Sequence, residues 1–236
     1  MVRGIRVRRL KELVSVLEQI KDLLPSYGWF PSSGDSPRWW AGYSDPFHIV
    51  ITAVLVQMTR WSVVEGVFRR LLDLGLGTPS ALVSVDVNIL EELLKPLNYR
   101  RSKARALIEI SRLLLELDLN REPLEEARKV LLKIKGVGRE TADSILLFAY
   151  NKPTIPISRQ LRRVLERYGI NTPRGYEEAR KWVVEELNQD LYKLKLLHAT
   201  TTIIAREFCK IKTTRCNKCP LTNTCSKNNL PEPREI

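Results

Sequence analysis

Apolar residues recur at helical spacing along most of the chain and nowhere alternate for more than a few residues, which confines the fold to packed helices. Leu10, Leu13, Leu17, Ile20 and Leu24 fall on one stripe, so the first segment is expected to be an amphipathic helix. Helical pattern resumes at Phe47, behind Asp45 as N-cap and Pro46 as first helical residue. It then continues with breaks at GLGTPSA, KPLNYR and LNREP. Between these parts lies PSYGWFPSSGDSPRWWAGYSDP, whose Gly, Ser and Pro density marks a linker or a binding loop. PTIPIS comes nearest to a strand, but two prolines make it a connection. An all-α protein follows, without tandem repeats or low-complexity segments.

A chain of 236 residues has room for one or two domains with a real core. Its 39 Lys and Arg against 27 Asp and Glu give a formal net charge of +12, which favours a polyanionic partner, nucleic acid first. No apolar run approaches the roughly 18 residues that a spanning helix requires, so a membrane partner is not expected. Lys11, Glu12 and Glu18 interrupt what would be the apolar stretch of a signal peptide, which points to an intracellular protein of the cytoplasm or nucleoid.

All four cysteines lie within 17 residues near the C-terminus: Cys209, six residues, Cys216, two residues, Cys219, five residues, Cys225. Around them the apolar periodicity stops and the chain turns basic and loop-like, so something other than a core must hold it. Intracellular thiols stay reduced, and a disulfide framework would spread across the fold. The group therefore reads as a metal site, either zinc held tetrahedrally or the corners of an iron-sulfur cluster.

A second signal is KGVGRETA, in which Gly136, Val137 and Gly138 stand between two helical patterns. Glycine permits a tight turn, and the amides that open the next helix suit a phosphate. A plain helix-helix turn would use the same glycines as a C-cap. Lys133, Lys135 and Arg139 around it favour a nucleic-acid backbone.

Taken together, GVGRETADSILLFAYNKPTIPI and the cysteine spacing C-x6-C-x2-C-x5-C resemble the endonuclease III group of helix-hairpin-helix DNA glycosylases. The likeness extends to DPFHIVITAVLVQMTRW and LKPLNYRRSKARALIEI, covering roughly residues 45–225. It implies a base-excision repair enzyme with two helical domains flanking a DNA-binding cleft. A six-helix barrel with the helix-hairpin-helix would span residues 42–152. A cluster domain would combine residues 1–41 with 153–236, and its four cysteines would carry a 4Fe-4S cluster. The resemblance further implies a monovalent cation at the hairpin, double-stranded DNA with a damaged base as partner, and a monomer. Lys135, Gly136, Val137, Gly138 and Arg139 would grip the backbone. Gln57 would fill the gap left when a nucleotide is extruded, although outside the resemblance it reads as an ordinary polar helix residue.

Two departures matter for chemistry. Members that also nick the strand carry a lysine after GVGR, whose amine forms a Schiff base with the sugar; here that residue is Glu140, which cannot form the imine. The family's essential aspartate follows the connection resembling KPTIPI, where this chain has Ser158. A hydroxyl offers no full negative charge to a developing sugar cation, a loss of about two to three decades in rate. Glu140 is the first candidate to replace that carboxylate and Asp143, one turn on, the second. Apart from catalysis, Glu140 suits a helix first turn, Asp143 a solvated or salt-bridged helix position, and Ser158 the N-cap of SRQLRRV. GxGxETADSI also resembles the endonuclease III-related 3-methyladenine glycosylases, which lack the lysine. By that likeness Trp29, Phe30 and Pro31 of YGWFPSS are candidate pocket walls for a cationic base, or else a hydrophobic staple. His198 reads as a buried, neutral histidine.

The expectation is a monofunctional DNA glycosylase that flips out and hydrolytically releases a damaged base, an alkylated or labile purine. Its alternatives are a catalytically impaired binder of damage or abasic sites, a mismatch or oxidised-base glycosylase, and, least supported, an RNA-binding zinc protein.

Overall fold

A computed structural model describes residues 9–226, and these contain eleven α-helices, three short 3-10 helices and no strand. The basic residues that open the chain and the last ten lie outside the described residues. The chain divides into two compact units, residues 36–152 and residues 1–35 with 153–236. Among the described residues no helix is long and apolar enough to cross a membrane.

The unit of residues 36–152 is built from α2 (Pro46–Leu55), α3 (Trp61–Asp73), α4 (Pro79–Ser84), α5 (Val87–Leu93), α6 (Arg100–Glu116), α7 (Leu124–Leu132) and α8 (Arg139–Phe148). Asp45 caps α2 as the sequence suggests: its carboxylate accepts from the Phe47 amide at 2.8 Å, with Pro46 at the first helical position. α2 is apolar on nearly every face, α8 is buried from Thr141 to Phe148 although it includes Asp143 and Ser144, and the two pack on each other. The breaks at GLGTPSA, KPLNYR and LNREP fall between α3 and α4, α5 and α6, and α6 and α7. Trp39 and Trp40, which sequence reasoning left in a loop, are buried here; Trp40 donates its indole N–H to Thr52 Oγ1 at 3.0 Å and meets Phe148 edge-on. The segment read as one linker is thus two anchored pieces, divided between Asp35 and Ser36.

The other unit contains α1 (Leu10–Glu18), α9 (Arg159–Tyr168), α10 (Tyr176–Glu186) and α11 (Leu191–Glu207). α11 is its buried centre and packs against α9 and α1. The first helix ends at Glu18, short of the stripe's last members, and a 3-10 segment, Lys21–Tyr27, follows; Pro25 has no N–H to continue an α-helix. PTIPIS is an extended connection without sheet partners.

Candidate functional site

Within residues 36–152 the structure brings two predicted features together. The turn after α2 and the hairpin between α7 and α8 meet where Gln57 Nε2 donates to the Gly136 carbonyl at 3.1 Å. Gln57 lies just past the end of α2, not within the helix, so its side chain serves no helical face. Its neighbour Met58 is 76% exposed in a left-handed conformation, φ 53°.

The hairpin's two glycines do different things. Gly136 has φ 97°, and a Cβ there would lie 2.7 Å from Ser102 Oγ, so both backbone and space demand glycine. Gly138 has φ −87°, open to any residue, and a Cβ there would meet nothing within 4 Å. It is the N-cap of α8 and supplies no capping side chain, which leaves the helix's positive end accessible to an anion. Val137 is buried and its amide donates to Ile134 O at 3.0 Å, so this residue folds the turn and does not reach outward. Lys135 and Arg139 are exposed on either side.

The three candidate catalytic groups have different settings. Glu140 is exposed in the first turn of α8, directly behind the hairpin. Asp143 does not share that setting: it is fully buried and held by Arg128 of α7, with Nε to Oδ1 at 2.8 Å and Nη2 to Oδ2 at 3.2 Å. A bidentate pair of this kind locks α7 to α8 and takes the carboxylate out of contention as a sugar-facing group. Ser158 belongs to the other unit. It caps α9 there, its hydroxyl oxygen accepting from the Leu161 amide at 3.0 Å.

In that second unit Trp29 is half-buried and meets the His198 ring edge-on at 5.6 Å, while Phe30 is exposed and Pro31 partly covered. His198 is buried in α11, and burial pushes its pKa down to about 4, which keeps it neutral. Lys195, one turn earlier, is fully enclosed; burial lowers its amine to about 8, and Asp35 acts in the opposite sense. Nothing in the sequence singled it out, because a lysine among LYKLKLLHA reads as a solvated helix residue.

The four cysteines form no disulfide. Burial raises the Cys219 thiol to about 11, and the charges of Cys225, Cys209 and Cys216 push it the same way, so the four sulfurs are near enough to feel one another. Among the described residues no three His, Cys, Asp or Glu side chains converge as ligands of one ion. Four thiolates on one short loop are a donor set that suits either a tetrahedral zinc ion or the corners of an iron-sulfur cluster. Arginines of α9 hold the loop: Arg163 Nε donates to Cys209 O at 2.8 Å, and Arg167 Nη1 to Lys210 O at 2.7 Å and to Cys209 Sγ at 3.3 Å. These two arginines were missed; their spacing of four along SRQLRRVLERY is the signal that could have found them.

A glycine hairpin ahead of α8, bonded to the Gln57 turn and flanked by exposed Lys135 and Arg139, is an arrangement suited to a nucleic-acid backbone. The chain belongs to the HhH-GPD superfamily of base excision DNA repair proteins, whose family profile matches residues 51–189. It is a DNA glycosylase of that family. Among curated proteins it is 31% identical to a Methanocaldococcus jannaschii protein described as a DNA repair glycosylase, covering 80% of this chain and 88% of the other. It is also 31% identical to endonuclease III of Thermotoga maritima, over 77% of this chain and 83% of that one. A trapped endonuclease III–DNA covalent intermediate has the same fold, with a TM-score of 0.68 at 23% identity over 92% of this chain and 95% of that one.

Proposed function

We propose that the chain is a monofunctional DNA glycosylase that extrudes a damaged base from duplex DNA and releases it by hydrolysis without cutting the strand. The observation that carries this reading is Glu140, an exposed carboxylate in the first turn of α8 where strand-nicking relatives are expected to present an amine. A carboxylate cannot form a Schiff base with the opened sugar, but it can stabilise positive charge as the glycosidic bond breaks. Gly136, Gly138, Lys135 and Arg139 bind the phosphate backbone, and Gln57 enters the gap left by the extruded nucleotide.

An alkylated or otherwise labile purine is the substrate class that fits. Its leaving group is already cationic, so the bond needs less help than a neutral base would, and Trp29 and Phe30 offer aromatic faces to a positive ring. Cys209, Cys216, Cys219 and Cys225 hold a 4Fe-4S cluster, whose contribution is to order the basic loop around them.

Ser158 favours a second reading, a damage-binding protein that has lost catalysis. Its hydroxyl is engaged at the start of α9, and it offers no charge. Purified brown protein, absorbing near 400 nm, is incubated with duplexes carrying methylated purines, hypoxanthine, uracil or a mismatch, and the free bases are read by mass spectrometry. Release of one purine with the strand intact, abolished by Glu140→Gln, is the expected result. Tight lesion binding without release would instead select the second reading. Strand cleavage trapped by borohydride would overturn the monofunctional assignment.

A further inference from the structure

Lys103 of α6 is 2% exposed, yet its ammonium is directed at the turn that carries Gln57. It donates to Leu55 O at 2.8 Å, Gln57 O at 2.7 Å and Thr59 Oγ1 at 2.9 Å. An ammonium has three donors, and all three are engaged. Every acceptor is uncharged and belongs to residues 55–59, the exit from α2. Enclosing a cation without a carboxylate is a poor way to stabilise a core, and an apolar side chain of similar length would fill the space at lower cost. What the lysine does supply is attraction to the carbonyl end of α2 and three fixed points on a five-residue turn.

Neighbouring residues complete a bracket. Asn98 Nδ2 donates to Met58 O at 2.6 Å. Ser102, next to Lys103, is the residue against which Gly136 fits so closely that no side chain can intervene. Gln57 then reaches across to the Gly136 carbonyl. One stretch, residues 98–103, thus supports both the glutamine turn and the hairpin.

We propose that Lys103 is a positioning residue: by pinning residues 55–59 it holds Gln57 poised to enter the duplex when a nucleotide is extruded, without touching DNA itself. A turn with an exposed methionine in a left-handed conformation has few contacts of its own, and ordering it only upon binding would reduce affinity for the opened duplex. The inference rests on the gap-filling role of Gln57 given above.

The test needs no catalysis. Binding is compared between an undamaged duplex and one containing a tetrahydrofuran abasic analogue, with 2-aminopurine beside the analogue to report local stacking. Wild type, Gln57→Ala, Lys103→Met, Lys103→Arg and the Gln57→Ala/Lys103→Met double variant are measured. Lys103→Met is expected to lower the preference for the abasic duplex about tenfold, comparable with losing a well-formed hydrogen-bond set. Affinity for undamaged DNA should be unaltered, Lys103→Arg should recover part of the preference, and the double variant should be no worse than Gln57→Ala alone. Additive losses in the double variant, or an equal loss on undamaged DNA, would overturn the proposal. If Gln57→Ala itself changes neither preference nor fluorescence, the gap-filling reading fails and takes this one with it. Should Lys103→Met not fold, Thr59→Ala removes one of the three acceptors and must show the same non-additivity with Gln57→Ala on a smaller scale.

Discussion

The hairpin of one unit and the cysteine loop of the other are both irregular, basic segments, yet they are held by opposite means. The hairpin at Gly136 is framed by two core helices: a close glycine contact fixes it from α6, and the buried Arg128–Asp143 pair ties α7 to α8 on either side of it. The cysteine loop buries Leu221 but leaves Ile211 exposed, and α9 reaches out with Arg163 and Arg167 to its carbonyls. Precision of the hairpin is thereby assigned to helix packing, and order in the basic loop to polar clasping.

The largest effect that would break this comparison is on the buried pair. Arg128→Met leaves the Asp143 carboxylate enclosed without its partner and should cost about 3–5 kcal/mol, read as a lower urea midpoint. An unchanged midpoint would mean that α7 and α8 do not need the pair.

Next comes acid sensitivity in the second unit. His198 has a folded pKa of about 4, depressed by burial below that of a free imidazole. Between pH 6.5 and 4 the unfolded chain therefore binds more protons, so this contribution to stability is complete above pH 6.5 and declines as pH falls. Over the window it amounts to about 3 kcal/mol. Urea titrations at pH 7 and 4.5 should show wild type losing more stability than His198→Gln; equal losses would assign the sensitivity to carboxylates alone.

Gly136→Ala should cost about 1–3 kcal/mol, because a left-handed backbone and a Cβ against Ser102 Oγ both oppose it. Gly138→Ala should be nearly neutral for folding and weaken DNA binding, since its Cβ points into open space at the end of α8. Thermal melts paired with duplex affinity separate the two, and equal behaviour would show that the hairpin glycines share one role. The smallest effect is at Ser158→Ala, where losing the cap of α9 should cost about 1 kcal/mol. A drop in base release far beyond that loss would give the hydroxyl a chemical role as well.

Much of this was legible in the residues. Helical period, the Asp45–Pro46 start of α2, the breaks between helices and the gathering of all four cysteines are local properties, and each is written in a short window. The hairpin was legible too, because a glycine with φ 97° leaves a mark in composition. Pairings across distance were not. A carboxylate at position 143 looks the same whether it faces solvent or an arginine fifteen residues away, and the two tryptophans in a Gly- and Ser-rich stretch gave no sign of being core.

By itself, then, the sequence determined that the chain is helical, basic, hairpin-bearing and furnished with four clustered thiols, since periodicity, charge and spacing are properties of the chain alone. Only the tertiary structure decided which polar groups are enclosed and what they hold: Asp143 on Arg128, Ser158 on the first turn of α9, Lys103 on the turn of Gln57. The physical reason is that burial and partnership depend on which helices meet, and a lysine's three donors acquire direction only when folding brings distant carbonyls to them.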